Sequence, residues 1–437
     1  MGALPPGRMG LPLLGETLPF VRDPFGFLQA RRRRYGNVFK SNVVGRKVVF
    51  VAGTEGAEAF YNTENISREK AHPFLLVDMF GGINFEMYDG PRHFALKSIA
   101  IRAFDHAAIA RYLPDMQRLA ESTLKRLAGA GEFSATFELR RLAIEAICWN
   151  LLGLPPGPDT EAITSDYGTL LAGLAAPVPV AIPGTTYGRA RAARGRVLDR
   201  IDRVIAERRA HPRSDGLSRL LTDTASDGGT YTDEEARLEA HHIVIAGFIV
   251  YALMAEVVRQ LAQQRRLRER CLAEIRQHAP EGPLTMEALG RLETSTNVVR
   301  EAKRFVPLVP LAFGRARRRF RCGGHEVPAG WAVYLALYLN NRDPDIYAEP
   351  DRFDPDRFGP DRAEHLKHPM AFIPQGAEPP NGHRCLGLDY STFLVLVFLT
   401  LLGRGYDWEL PPQDLEYDWK KRPPEPRDGL RVMLRTR

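Results

Sequence analysis

Phe372-Ile373-Pro374-Gln375-Gly376-Ala377-Glu378-Pro379-Pro380-Asn381-Gly382-His383-Arg384-Cys385-Leu386-Gly387 runs directly into the apolar stretch Leu388 to Leu402, and this segment decides how the rest of the chain is read. A Gly- and Pro-rich loop ends on a cysteine, and a strongly apolar helix is expected to begin just after it. A cysteine at the mouth of a helix lies near unpaired N–H groups and the positive end of the dipole, which favours its thiolate. That makes Cys385 a candidate metal ligand; the competing reading is a buried structural cysteine, the usual fate of a lone one. Gly382 lets the backbone turn tightly before the cysteine, and Gly387 removes a side chain where a flat macrocycle would lie against the helix.

Three further motifs surround this loop. Glu301-Ala302-Lys303-Arg304 sets a carboxylate and a guanidinium at i, i+3 on one helix face, a common surface pairing when it stands alone. Phe353-Asp354-Pro355-Asp356-Arg357-Phe358 follows it, and then the cysteine loop. Upstream, Asp89-Gly90-Pro91-Arg92-His93-Phe94-Ala95-Leu96-Lys97 places His93 and Lys97 at i, i+4 on a helix.

Thiolates of this kind ligate heme iron, and the order of these motifs resembles that of the cytochrome P450 superfamily of heme-thiolate oxygenases over nearly the whole chain. The resemblance implies a mainly α fold with a smaller β region. It implies one large domain over residues 1–437, with heme between a long central helix and the cysteine-loop helix. Cys385 would be the axial ligand of heme b (iron protoporphyrin IX), with Gly387 beside it. Glu301, Arg304 and Arg357 would form a buried ion network under the heme that holds the loop. His93, Lys97, Arg315 and His383 would reach the heme propionates, the alternative for each being an ordinary solvated side chain.

Thr232-Asp233-Glu234-Glu235 is a capping box that starts the central helix, expected to reach roughly to Gln264. The family shows Ala-Gly followed by an acid and an alcohol that helps deliver protons to oxygen. Here Ala246-Gly247 is followed by Phe248-Ile249-Val250, and both groups are replaced by apolar residues. By family position Ala246, Gly247 and Val250 are the catalytic set. Gly247 suits close approach of heme or ligand, since a mid-helix glycine costs about 1 kcal/mol against alanine. Val250 keeps a threonine's shape but donates no proton. His241 and His242 lie about 12 Å from Val250 along the helix axis and read as polar-face or core histidines, so protons are expected from water or the substrate.

The chain is similar to two branches of the family. The lengthened cysteine loop, Met79-Phe80-Gly81-Gly82 with Met87-Tyr88-Asp89-Gly90, and Arg304-Phe305-Val306-Pro307 resemble the bacterial fatty-acid peroxygenases, which use hydrogen peroxide directly. Their central-helix arginine and proline are absent here. Ile182-Pro183-Gly184-Thr185-Thr186-Tyr187-Gly188-Arg189-Ala190 resembles the lid of retinoid- and isoprenoid-oxidising members. Tyr338, Phe313, Leu311, Phe248 and the 176–184 loop read equally well as pocket lining and as core.

Elsewhere, Asp23 to Tyr35 reads as a helix ending in four arginines, a solvated face on most counts. Val38 to Val44 and Val48 to Val51 form a hairpin across Gly45-Arg46-Lys47. From about residue 106 to 280 the apolar spacing is helical, interrupted by breakers at 154–158 and 176–184. Strand-like pieces follow at Phe320, Val327 and Val333 to Leu339.

With 437 residues, 44% of them hydrophobic and 26% charged, the chain can bury a sizeable core. A net charge of +7 allows an acidic partner, but the arginines are scattered without aromatic interleaving, which argues against nucleic acid. Cys148, Cys271, Cys322 and Cys385 show no C-x-x-C spacing, so zinc and a disulfide framework are not indicated and a reducing, cytoplasmic setting fits. The N-terminus lacks a signal-peptide pattern, and the runs Ile243 to Met254 and Phe393 to Leu402 fall short of the ~20 residues that span a bilayer, so no membrane anchor is expected.

The resulting expectation is an oxidoreductase that hydroxylates, or otherwise oxidises at C–H, a largely apolar small molecule in secondary or lipid metabolism. As a monooxygenase it would need ferredoxin and ferredoxin reductase; as a peroxygenase, no protein partner. The alternatives are peroxide-driven oxidation of a fatty acid, a rearrangement, cyclisation or coupling enzyme on the same fold, and a heme-based sensor.

Overall fold

A computed structural model describes residues 2–12, 14–176, 180–377, 382–421 and 423–437. The helical spacing between residues 106 and 280 resolves into His106–Ala128, Ala135–Leu152, Pro158–Ala172, Thr186–Ala210, Asp233–Phe248, Tyr251–Gln263 and Arg265–His278, with the short helix Gly216–Thr222 between. Their apolar faces meet the cysteine-loop helix Leu388–Gly405 and the helix Glu293–Phe305 in one continuous core. Gly153 ends Ala135–Leu152 in the left-handed conformation (φ 65°), where the first breaker falls.

A five-stranded sheet forms the smaller β region. Its order is Val38–Val43, Arg46–Val51, Ala332–Leu335, Ala312–Ala316, Ile66–Ser67. Alternation divides its faces: Val49, Val51, Val333 and Leu335 pack with Phe60, Tyr61 and Ile373, while Val48, Phe50, Ala332 and Tyr334 pack with Phe25, Phe27 and Phe39. The first hairpin is one residue tighter than the sequence suggests. Val43 pairs with Arg46, because Val44 and Gly45 both take positive φ (53° and 70°) and close a two-residue turn whose twist suits the strands.

Two other expectations change. Val333 to Leu339 is not one strand: it stops at Leu335, and Leu337–Asn340 coils into a turn pinned by Asn340, whose side chain accepts from Gly53 N–H and donates to the Gly53 carbonyl. The central helix is also interrupted. Asp233–Phe248 begins at the reciprocal capping box of Thr232 and Glu235, then tightens through Ile249-Val250 before Tyr251–Gln263 resumes. At the break, Val250 N–H bonds to the Gly247 carbonyl and Leu253 N–H to the Val250 carbonyl, i→i−3 closures at a pair of stiff β-branched residues.

By length and composition, Asp233–Gln263 and Leu388–Gly405 could each span a membrane, yet both are mostly buried inside the fold. The arginine run is half structural: Arg31 pairs with Glu16 and Arg32 with Asp343, while Arg33 and Arg34 stay exposed.

Candidate active site

The lower wall of the site is the cysteine loop. Cys385 N–H donates to the Gln375 carbonyl (3.0 Å), and the Gln375 amide nitrogen lies 3.7 Å from Sγ. Burial pushes the Cys385 thiol up; the Gly387 N–H, Lys303 and Lys97 oppose this without reversing it. A cation bound at Sγ would favour the thiolate over the thiol. A Cβ added at Gly387 would meet only Sγ, at 3.9 Å, so the helix start beside Cys385 is bare of side chains. Glu378 to Asn381, within the lengthened loop, lie outside the described residues.

Beneath the loop, Glu301, Arg304 and Arg357 come together, all fully buried. Arg304 forks onto both Glu301 oxygens at 2.7 Å, and Arg357 Nε reaches Glu301 at 3.1 Å. Arg304 also donates to the carbonyls of Asn341 and Pro350, and Arg357 to that of Ala348. Glu364, which sequence reading missed, completes the set with a 2.6 Å pair to Arg357. Lys303, also missed, ties this helix to the start of Leu388–Gly405 through the Leu388 carbonyl (2.6 Å) and the Thr392 hydroxyl (2.8 Å). Burial lowers its pKa to about 7.

His93, Lys97 and His383 are brought together at the loop edge. The His93 ring stacks on that of His383 (centroids 4.0 Å apart), and its nitrogens lie 2.8 Å from the Phe85 carbonyl and 3.1 Å from the Gly382 carbonyl. Lys97, fully buried, donates to the carbonyls of Gly382 and Arg384. Arg315 does not join them. It is exposed on the sheet face that carries Phe313 and Tyr334, with Nε 3.3 Å from the Gly330 carbonyl. Its neighbour Gly314 takes the opposite face, against Phe60 and Ile66. The guanidinium near the histidines is that of Arg68, which is buried, donates to the Phe313 carbonyl at 2.8 Å and lies over the Phe60 and Tyr61 rings.

The upper wall is one stripe of the central helix. Ala246 is exposed although residues 243–245 and 247–248 are buried; His242 and Ile249, one turn to either side, are half-buried. These three form the accessible stripe of an otherwise buried stretch of helix. Gly247 is not among them: a Cβ there would come within 2.5–3.0 Å of Ile147, so its bareness serves helix packing rather than approach of a ligand. Val250 is buried at the helix break. His241 is a core residue, accepting from the Tyr167 hydroxyl (2.9 Å) and donating to the Met79 carbonyl (3.0 Å), and burial lowers its pKa to about 4. His242 is not the inert residue its sequence position suggests, since Nδ1 sits 3.1 Å from fully buried Glu239.

Of the residues expected to line a pocket, Tyr338, Leu311 and Phe248 are core. Phe313 is half-buried, and its ring meets that of His72 at 5.4 Å. Within the 176–184 loop, residues 177–179 lie outside the described ones, and Val180 and Ile182 are exposed.

The family model for cytochrome P450 matches residues 5–426. The chain belongs to the cytochrome P450 family. Over 99% of its length, and 86% of the relative's, this P450 is 28% identical to abscisic acid 8'-hydroxylase 3 of Oryza sativa subsp. japonica. Its fold superposes on the retinoic-acid-bound cyanobacterial CYP120A1 with a TM-score of 0.92, at 27% identity and full coverage of both chains. It superposes on P450EX alpha (CYP152N1) with myristic acid at a TM-score of 0.83 and 25% identity, again over both whole chains. The P450 is thus an oxidoreductase of the monooxygenase or peroxygenase type, mainly α with a smaller β region. The family carries a heme iron, and the residues fit one. A buried thiol stands beside a bare helix start, cationic groups gather at the edge of its loop, and the central helix leaves Ala246 exposed between buried neighbours.

Proposed function

We propose that this P450 oxidises a C–H bond of a largely apolar small molecule at a heme b, iron protoporphyrin IX, held by Cys385. The observation that carries the reading is the cysteine loop held over the buried Glu301, Arg304 and Arg357 network, together with a central helix that leaves Ala246 exposed and Ile249 half-buried where an apolar substrate can lie. A bound heme would supply oxygen activation and hydrogen abstraction, and Cys385 would be the thiolate that holds its iron and donates electron density to it.

The chain's own residues bind, orient and exclude water. Lys97, His93 and His383 present donors to the heme's carboxylates, as does Arg68 in place of Arg315. The network of Glu301, Arg304 and Arg357 fixes the loop from below, because each guanidinium saturates carbonyls that the cysteine loop's support would otherwise leave unpaired. The relatives with retinoic and myristic acid point to a long apolar skeleton as the substrate class. Since neither Ile249 nor Val250 offers a cation to a carboxylate, a neutral isoprenoid fits better than a fatty acid. A cytoplasmic setting and a place in secondary or lipid metabolism complete the reading.

The absence of acid and alcohol at 249 and 250 favours hydrogen peroxide as a second oxidant beside dioxygen with ferredoxin and its reductase. The test is product formation from a panel of lipophilic acids and neutral isoprenoids by the heme-loaded protein. One arm uses peroxide alone, the other ferredoxin, reductase and NADPH, with Cys385→Ser as control. Turnover in neither arm, with heme bound, would favour a rearrangement or sensing role instead.

A further inference from the structure

At the end of the first hairpin the chain leaves apolar side chains in water where its turn chemistry does not ask for them. Val44 is exposed and left-handed (φ 53°), at the first position of a two-residue turn that asparagine or glycine fills with less strain. A β-branched residue there is a backbone outlier, so the turn itself gives no reason for valine. Three leucines stand beside it. Leu11, Leu14 and Leu18 are 67%, 65% and 75% exposed, and their segment is stitched to the hairpin. Leu11 and Gly15 exchange backbone bonds, Glu16 N–H donates to the Asn42 carbonyl (2.7 Å), and Val44 N–H donates to the Thr17 hydroxyl (2.8 Å). The short helix Thr17–Arg22 rests on Phe20, whose ring meets those of Phe27 and Phe50, and Leu18 is left outside. Glu16, the one acid among residues 11–22, is buried and ion-paired with Arg31.

The charge next to this tip is of one sign. Arg46 and Lys47 follow Gly45 and, with Lys70, Arg315 and Trp331, line a cleft of about 360 Å³ whose wall, among the described residues, carries no carboxylate. The sheet register builds it: Val48 and Arg315 both pair with Ala332, which sets Lys47 beside Trp331 and Arg315 on the next strand across. Lys47 Nζ lies 5.7 Å from the Trp331 ring centroid, and Arg46 donates to the Ala71 carbonyl at 2.6 Å. Lys70 is exposed. Four cations held around one cleft repel each other unless an anion sits among them.

We propose that the hairpin end is a docking surface for a phospholipid bilayer with anionic headgroups. The apolar tip of Val44, Leu11, Leu14 and Leu18 enters the headgroup boundary, while Arg46, Lys47, Lys70 and Arg315 take a lipid phosphate into the cleft, with Trp331 at the level of the interface. Neither signal is strong alone, and their adjacency is what makes the surface one for membranes. The docking is peripheral and calls for no spanning helix. None of these residues belongs to the site around Cys385, so docking goes beyond the oxidation proposed above and does not depend on it.

The experiment is cosedimentation of the heme-loaded protein with vesicles of phosphatidylcholine alone and of phosphatidylcholine mixed with phosphatidylglycerol, at low and high salt. Binding should favour the mixed vesicles and weaken with salt. Lys47→Gln combined with Lys70→Gln should lower affinity for them about 20-fold, and Leu14→Ser combined with Leu18→Ser about 10-fold or more. Val44→Asn separates docking from folding: it should weaken binding while thermal stability holds or rises, because asparagine suits the turn. No binding to the mixed vesicles, equal binding to both kinds, or binding that these substitutions leave unchanged at equal heme content would overturn the proposal. Inorganic phosphate bound in calorimetry without any vesicle binding would overturn it as well, and would make the cleft a site for small anions.

Discussion

The two walls of the site are built in opposite ways. The lower wall is held by buried charge: Glu301, Arg304 and Arg357 are fully buried, and Lys97 and Lys303 donate to carbonyls of the loop and of the cysteine helix. The upper wall is mostly apolar, broken at Ile249-Val250, and carries one ion pair, Glu239 with His242. A loop that must hold a thiolate ligand in register tolerates little variation, because removing one member of a buried charge set strands the others. The opposing helix has only to leave room, so it can change residues while the fold stays the same. The chemistry peculiar to this P450 therefore belongs to the upper wall.

Breaking the lower wall should have the largest effect. Cys385→Ser is expected to abolish oxidation altogether while leaving the helical circular dichroism intact. Glu301→Gln leaves the two guanidiniums without their shared carboxylate and should cost about 3–5 kcal/mol in urea unfolding. A loss below about 1 kcal/mol would mean that the network is not the brace described.

Intermediate effects test packing and burial above the site. Gly247→Ala should lose about 1–3 kcal/mol through overpacking on Ile147, and an added Ile147→Val should recover part of it. If instead Gly247→Ala left stability alone and altered ligand affinity, Gly247 would belong to the ligand wall after all. His241 binds a proton near 6.5 when unfolded but only at about 4 when folded. The unfolded state thus holds more protons between these values, and stability should fall as pH drops from 6.5 to 4, by about 3 kcal/mol from this group. His241→Gln, followed over the same range, should flatten that part of the slope. The smallest change is expected from Val250→Thr. A hydroxyl at a buried helix break should modestly improve the coupling of oxygen consumption to product, and no change in coupling would place that position outside the reaction.

The lower wall was legible in the sequence because its motifs are local. A glycine-flanked cysteine before an apolar run, an acid and arginine at i, i+3, and a histidine and lysine at i, i+4 each declare a geometry within a turn or two. What failed depends on direction or on distant partners. Arg315 was placed by family position, but side chains alternate along a strand, and the register with Ala332 turns it outward while Gly314 faces in. Gly247 answers to Ile147, a hundred residues away in sequence, and no local pattern shows that contact. His241 and His242 look alike on paper; helix rotation sends one into the core and the other onto the Ala246 stripe.

The most direct measurement is product formation by the heme-loaded protein with an apolar substrate panel, run with peroxide alone beside ferredoxin, reductase and NADPH, and repeated with Cys385→Ser. Oxidised product in at least one arm, absent from Cys385→Ser, is the predicted result. No product in either arm despite bound heme, or undiminished product from Cys385→Ser, would contradict the account.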